Sequence, residues 1–298
     1  MGSSKVKPGA FKTKTFIADM SRACADYTRG MLKNTDRAKK TDGTYSVLFL
    51  EFLAFSAILC MILTNESPPV LSSDRGTRQS EKTKEKRMDR LVSYGWIFLL
   101  AAMAGDLLVS LFLPLFYSEY NSLKMSVSAL GNPSSPVRVP FNIWMLTEGI
   151  LFLLALPAVH LFFHPMSGWL AGLLIAFIAV FAVGACIFTC FFPVNESRDV
   201  VTVASKLHGA GSVTGFMLFL FVPLLVALLY FKDHNQTLGV VSVISFVLAL
   251  VCFSLFVMSD KPAFKDTAID HEGLWQRLNL LFMYIPLAVT CMYKIMHP

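Results

Sequence analysis

The sequence predicts an all-α, polytopic transmembrane bundle of six core helices, preceded by one further N-terminal membrane segment. Three observations predict it. Of the 298 residues 55% are apolar and only 15% charged, against about 25% charged in soluble domains, and the mean hydropathy is +0.58. Seven apolar runs divide the chain, at 45–64, 91–117, 141–163, 168–192, 207–231, 238–258 and 274–295. The charge is also lopsided, with 17 of the 26 Lys and Arg lying before residue 91.

Each run is long enough, at about 1.5 Å per residue, to cross a hydrocarbon core about 30 Å thick. Lipid offers no partners to backbone polar groups, so spanning segments of this length are helices. The run at 45–64 differs from the others because it carries Glu51 and is followed by a charged stretch at 65–90. The chain therefore divides into a basic N-terminal arm, 1–90, with one hydrophobic segment, and a six-helix transmembrane core, 91–298. The first 44 residues are polar and hold ten Lys and Arg, which is not the pattern of a secretory signal.

A basic arm beside an uncharged core suits a membrane surface, and membrane lipids are the expected partners. No aromatic-rich basic patch accompanies the charge, so nucleic acid is not an expected partner. The Cys residues lie almost entirely within apolar runs, and no disulfide framework is expected. Chemistry-bearing motifs such as a Gly-x-Ser-x-Gly elbow, a His-Glu-x-x-His pair or a P-loop are missing. No metal site, catalytic residue or cofactor is assigned from the sequence.

Connections within the core alternate between long (118–140, 193–206, 259–273) and short (164–167, 232–237). With six crossings, all three long loops fall on one membrane face. Seven Lys and Arg at 65–90 abut the first core helix and place that end at the cytoplasm, with the long loops outside. Six Lys and Arg in the long loops argue the other way.

Polar residues gather in or beside these loops. Ser128 and Asn132 belong to a turn-rich segment, Ser126 to Pro136. Asn142 and Glu148 enter the next run, and Asp106 lies midway along the first; a carboxylate at such depth is costly and marks either a functional site or a structural ion pair. His208 begins the fifth run of the seven, followed by Gly211 and Gly215 at the spacing of small-residue helix packing. His271, Glu272, Gln276 and Arg277 form the densest cluster, with Glu272 and Gln276 one helical turn apart. Arg277 lies inside an apolar run and needs a partner: Glu148 or Asp106 by depth, with Glu148 closing a polar pocket under the loops, or else the interface, reached by snorkelling. His160 and His164 have metal-compatible spacing but fall at the opposite face and read as an interfacial pair.

Three motifs in order carry a family resemblance: Ser126-Val-Ser-Ala-Leu-Gly-Asn-Pro133 with Phe141-Asn142, Phe192-Pro193 ahead of His208, and Gly273-Leu-Trp-Gln-Arg277. They resemble a prokaryotic six-helix membrane family, domain of unknown function 998, over about residues 91–298. That family often carries an Asp two residues after the Phe-Pro step, where this chain has Asn195. A remoter likeness to the Frag/DRAM/Sfk group implies cytoplasmic termini, long loops outside or lumenal, and a link to lipid handling.

The expected function is that of a multi-pass cell-membrane protein binding a lipid or small amphiphile in a polar pocket beneath the long loops. A membrane-embedded lipid hydrolase or transferase using His208, His271 and Glu272 is one alternative. A small transporter component is another; the lack of an inverted repeat or a Gly/Pro-broken helix pair disfavours it, although Pro114, Pro157, Pro223 and Pro286 permit kinks.

Overall fold

The computed structural model describes residues 75–192 and 203–297, with side chains from 92 and from 205 onward in the two stretches. The hydrophobic run at 45–64, most of the arm, Pro193, Asn195 and Arg198 lie outside the described residues. Among the described residues the chain is helical and forms no strand.

Six helices are long and apolar enough to cross a membrane: Val92–Phe116, Arg138–Phe163, Gly168–Phe191, Ser205–Lys232, Gln236–Ser259 and Glu272–Met296. They coincide within a few residues with the six core runs. The first begins earlier than its apolar stretch, because α1 runs unbroken over Arg75–Phe112. From residue 75 the charged stretch of the arm is helix, continuous with the first span. Lys, Arg, Glu and Gln are strong helix formers, and no proline interrupts them.

The second span is α2, Arg138–Phe163. The third is α3, Gly168–Phe181, a π-helical segment at Ala182–Ile187, and the short α4, Phe188–Phe191. The fourth is split into α5, Val203–Phe219, and α6, Val222–Lys232. The fifth and sixth are α7, Gln236–Ser259, and α8, Glu272–Met296. Pro223 explains the split, since it lacks an N–H and its ring clashes with the preceding turn. The helical pattern shortens there to Phe221 N–H donating to Leu218 O at 3.1 Å. Pro157 and Pro286, by contrast, lie within continuous helices. Two adjacent spans are thus interrupted, the third by the π segment and the fourth at one of the prolines that permit kinks.

The spans form a ring: α1 on α2, α2 on α3 and the π segment, these on α5, α6 on α7, α7 on α8, and α8 back on α1. Small residues let backbones approach, as expected without a hydrophobic force between helices in lipid. A Cβ on Gly211 would lie 2.8 Å from Gly184 O, and one on Gly215 3.1 Å from the Ala185 Cβ, so α5 crosses the π segment at close range. Gly149 likewise brings α2 against the same segment, 2.8 Å from Ala182 O.

The half of the bundle nearest the short loops is closed. There α6 contacts α3, α7 and α8, and Tyr230 Oη meets Thr290 Oγ1 at 2.7 Å. Midway, Phe152, Phe181, Phe219 and Tyr284 form an aromatic layer with ring centroids 4.3–6.3 Å apart, a spacing suited to edge-to-face packing. Nearer the long loops α5 has no comparable packing against α7. The ring is closed at one end and parted at the other.

Candidate functional site

The first and third long loops meet at the parted end. Leu274 N–H donates to Leu123 O at 3.1 Å, Val127 N–H to Gln276 Oε1 at 2.7 Å, and Lys124 Nζ pairs with Asp270 Oδ2 at 3.2 Å. The Asp266 N–H and the Lys124 ammonium hold the Asp270 carboxyl below the usual carboxylate range. Gly273 packs directly on the carbonyls of Met125 and Ser122, so no larger residue fits where the loops cross.

Arg277 ties the same loops from beneath. Its Nε and Nη2 donate to Ser110 O at 3.2 and 3.1 Å, and Nη1 donates to Ser122 O at 2.7 Å and Gly273 O at 2.9 Å. Nη2 also donates to Tyr120 Oη at 2.9 Å. All five guanidinium N–H donors are thereby used. The expected partners were Glu148, Asp106 or the interface; the structure gives Arg277 backbone carbonyls and a phenol as hydrogen-bond partners, with Asp106 within electrostatic reach only. Burial pushes the Tyr120 phenol above its ordinary value, with the Arg277 cation opposing the shift.

Under this lid lies a cavity of about 540 Å³, within the range of small-ligand sites. Its loop end is lined by Ser126, Ser128, His208, Glu272 and Gln276. Asp106 and Glu148 line it further in, while Phe181, Phe216, Phe253 and Phe256 are among its apolar walls. Val213 of α5 and Val257 of α7 both line it and are exposed on the bundle surface, at 63% and 44%. The cavity is therefore bordered by the parting between these helices, on the side that faces lipid.

Glu148 is the least satisfied group in this wall. It is 1% exposed, and neither carboxylate oxygen has a hydrogen-bond partner. Cys186, Tyr284 and Trp144 stand beside it without completing one, and Asp106 is close enough for like charges to repel. Asp106 is better served, because Tyr284 Oη donates to its Oδ2 at 2.8 Å. His208 Nδ1 meets Phe192 O at 2.9 Å; a carbonyl only accepts, so Nδ1 carries the proton and Nε2 is left as an acceptor. Ser212 Oγ lies 3.5 Å from that Nε2 and 3.5 Å from Thr189 Oγ1.

Of the residues singled out in the sequence, Asp106, Ser128, Glu148, His208, Glu272 and Gln276 line one cavity. Asn132, Asn142, His271 and Arg277 do not line it. Asn132 Oδ1 accepts from Ser134 N and Oγ and from Ser135 N at 2.8–2.9 Å, which is turn chemistry. Asn142 is buried beside Gly131 with its Oδ1 unpaired. His271 Nδ1 lies 3.2 Å from Ala268 O at the start of α8. The His160 and His164 rings lie 4.8 Å apart, tilted at 60° to each other. Among the described residues no group of three or more His, Cys, Asp or Glu is placed to hold a metal ion.

Sequence reasoning missed Tyr284, Tyr120, Thr189, Ser212 and the wall residues Phe181, Phe216, Phe253 and Phe256. Tyr284 had a signal, since it stands two turns beyond Gln276 on the same face of α8. The Phe residues had none, as aromatic residues in an apolar run serve lipid and cavity alike.

A family model described as a protein of unknown function, DUF998, matches residues 100–293, nearly two-thirds of the chain and all six spans in whole or in large part. The chain belongs to that family. No curated protein and no solved structure matches it.

Proposed function

We propose that this member of the DUF998 family binds a lipid or small amphiphile in the cavity beneath the long loops, reached from the bilayer between α5 and α7. In this reading the protein resides in the cell membrane with its long loops on the outer face. One observation carries the proposal: a fully buried carboxylate, Glu148, stands without a partner in the wall of a roomy and otherwise mostly apolar cavity. An uncompensated polar group at membrane depth is expensive. Retaining it is reasonable where a bound molecule supplies the missing partner. Apolar walls suit a hydrocarbon body, and the polar loop end suits a headgroup.

The test is mass spectrometry of molecules co-purified with the full chain in native lipid discs. Val213→Trp, placed to fill the parting between α5 and α7, is the comparison. An amphiphile held by the wild type and lost from this variant is the expected result. An identical complement in both proteins would overturn the reading.

A further inference from the structure

We propose that the molecule meeting Glu148 carries an ammonium group on an apolar body, so that the cavity is a site for a lipophilic amine. This rests on the amphiphile reading above and names its ligand class. Three carboxyl side chains line the cavity, those of Asp106, Glu148 and Glu272, and among the described residues no Lys or Arg lines it. His208 is the one basic group in the wall, and its Nδ1 is committed to Phe192 O.

The cation with electrostatic reach to Asp106 is Arg277, and that guanidinium has spent all its donors on Ser110, Ser122, Gly273 and Tyr120. It has none left for a carboxylate in the cavity. Asp106 and Glu148 stand close enough to repel each other when both are ionised, and no hydrogen bond reaches either Glu148 oxygen. An ammonium between them supplies N–H donors to the bare Glu148 oxygens and positive charge to both acids, and charge-assisted bonds of this kind are the stronger class.

Depth fits the same group. Glu148 is ten residues into α2 and Asp106 ten residues before the end of the first span. At about 1.5 Å per residue, each lies about 15 Å from the long-loop end. The ammonium therefore sits near mid-membrane. The hydrocarbon part lies along Phe216, Phe253 and Phe256 and leaves through the parting at Val213 and Val257. An anionic headgroup would instead meet three acids at close quarters. The shared chemistry, an amine on a hydrocarbon, occurs both in free lipophilic amines and in amine-headed phospholipids. The phosphate of the latter is disfavoured by the same acids.

The experiment is native mass spectrometry of the full chain, released from detergent after equal additions of dodecylamine, dodecanol or dodecyl sulfate, with dioleoylphosphatidylethanolamine as competitor. Dodecylamine retained at least about tenfold more than the other two, with that preference lost in Glu148→Gln and reduced in Asp106→Asn, is the expected result. Displacement by the phospholipid identifies an amine-headed lipid as the occupant; no displacement identifies the free amine. If all three dodecyl compounds are retained equally by the wild type and lost in Val213→Trp, the amine inference falls while the amphiphile reading stands. If none is retained beyond the level of Val213→Trp, both fall. Because the comparison among compounds is made on the wild type, it holds even if a carboxylate variant does not fold.

Discussion

Arg277 donates two hydrogen bonds, from Nε at 3.2 Å and Nη2 at 3.1 Å, to the carbonyl oxygen of Ser110. Ser110 lies four residues before Pro114, and proline has no N–H to give, so this carbonyl is deprived of its helical donor. It also lies in the last turn of α1, where the exposed carbonyls favour a cation, and α1 has no basic residue of its own there. Arg277, from the far end of the chain, fills that role. It fastens α1, the first long loop and α8 into one unit.

Replacing Arg277 with Ala leaves the buried Ser110 carbonyl and the part-buried Ser122 carbonyl without their donor. An unpaired buried group costs about 1–3 kcal/mol, so we expect Arg277→Ala to lose roughly 3 kcal/mol or more. Arg277→Lys keeps the charge but offers three donors on one nitrogen in place of a fixed fork, and its loss should be intermediate. Thermal unfolding in detergent, read with monodispersity on size exclusion, orders the three proteins. Equal midpoints would remove the clamp from the account.

Gly273 gives a sharper contrast, because the obstacle to a side chain there is backbone. A Cβ would press into the carbonyls of Met125 and Ser122, neither of which yields as a flexible side chain would. Gly273→Ala is therefore expected to push the first and third long loops apart and to destabilise by about 1–3 kcal/mol. Gly172 and Gly209 are also helical, yet nothing lies within 4 Å of a Cβ at either. Substituting Ala there should stabilise by about 0.5–1 kcal/mol through helix propensity. Unfolding midpoints that fall for Gly273→Ala and hold or rise for the other two bear out this geometry; a common response at all three does not.

The spans were legible in the sequence because hydropathy alone decides which segments lipid accepts, and the parity of six crossings put the long loops together. Glu148, Asp106 and His208 were legible for the converse reason: each is a polar group in an apolar run. The partner of Arg277 was not, since it depends on Pro114 freeing a carbonyl on another helix, and carbonyls carry no mark in a sequence. Asn132 looked like a site residue, but its amide serves its own turn. The π segment has no composition to announce it beyond Gly184, whose role is visible only once Gly211 is seen against it. The helix from residue 75 was not legible, because a charged stretch carries no apolar period and only helix propensity speaks for it.

Pro223 connects the chain's local chemistry to the opening of the cavity. By ending the helical ladder at Phe221, it lets α5 diverge from α7 while α6 stays packed against it. Pro223→Ala restores an N–H that can reach Phe219 O, so the fourth span should straighten and carry Val213 toward Val257. Spin labels at Val213→Cys and Val257→Cys would read this as a shorter distance in the Pro223→Ala background, by several ångströms if the two halves become collinear. Helical content should hold or rise slightly, since proline costs a helix interior about 3 kcal/mol. Retention of an amphiphile should fall with the narrowing, because its route between α5 and α7 closes while Glu148 and the loop end are untouched. An unchanged label distance would mean that packing on the π segment, through Gly211 and Gly215, holds α5 away from α7. The parting would then be a property of small residues rather than of the proline.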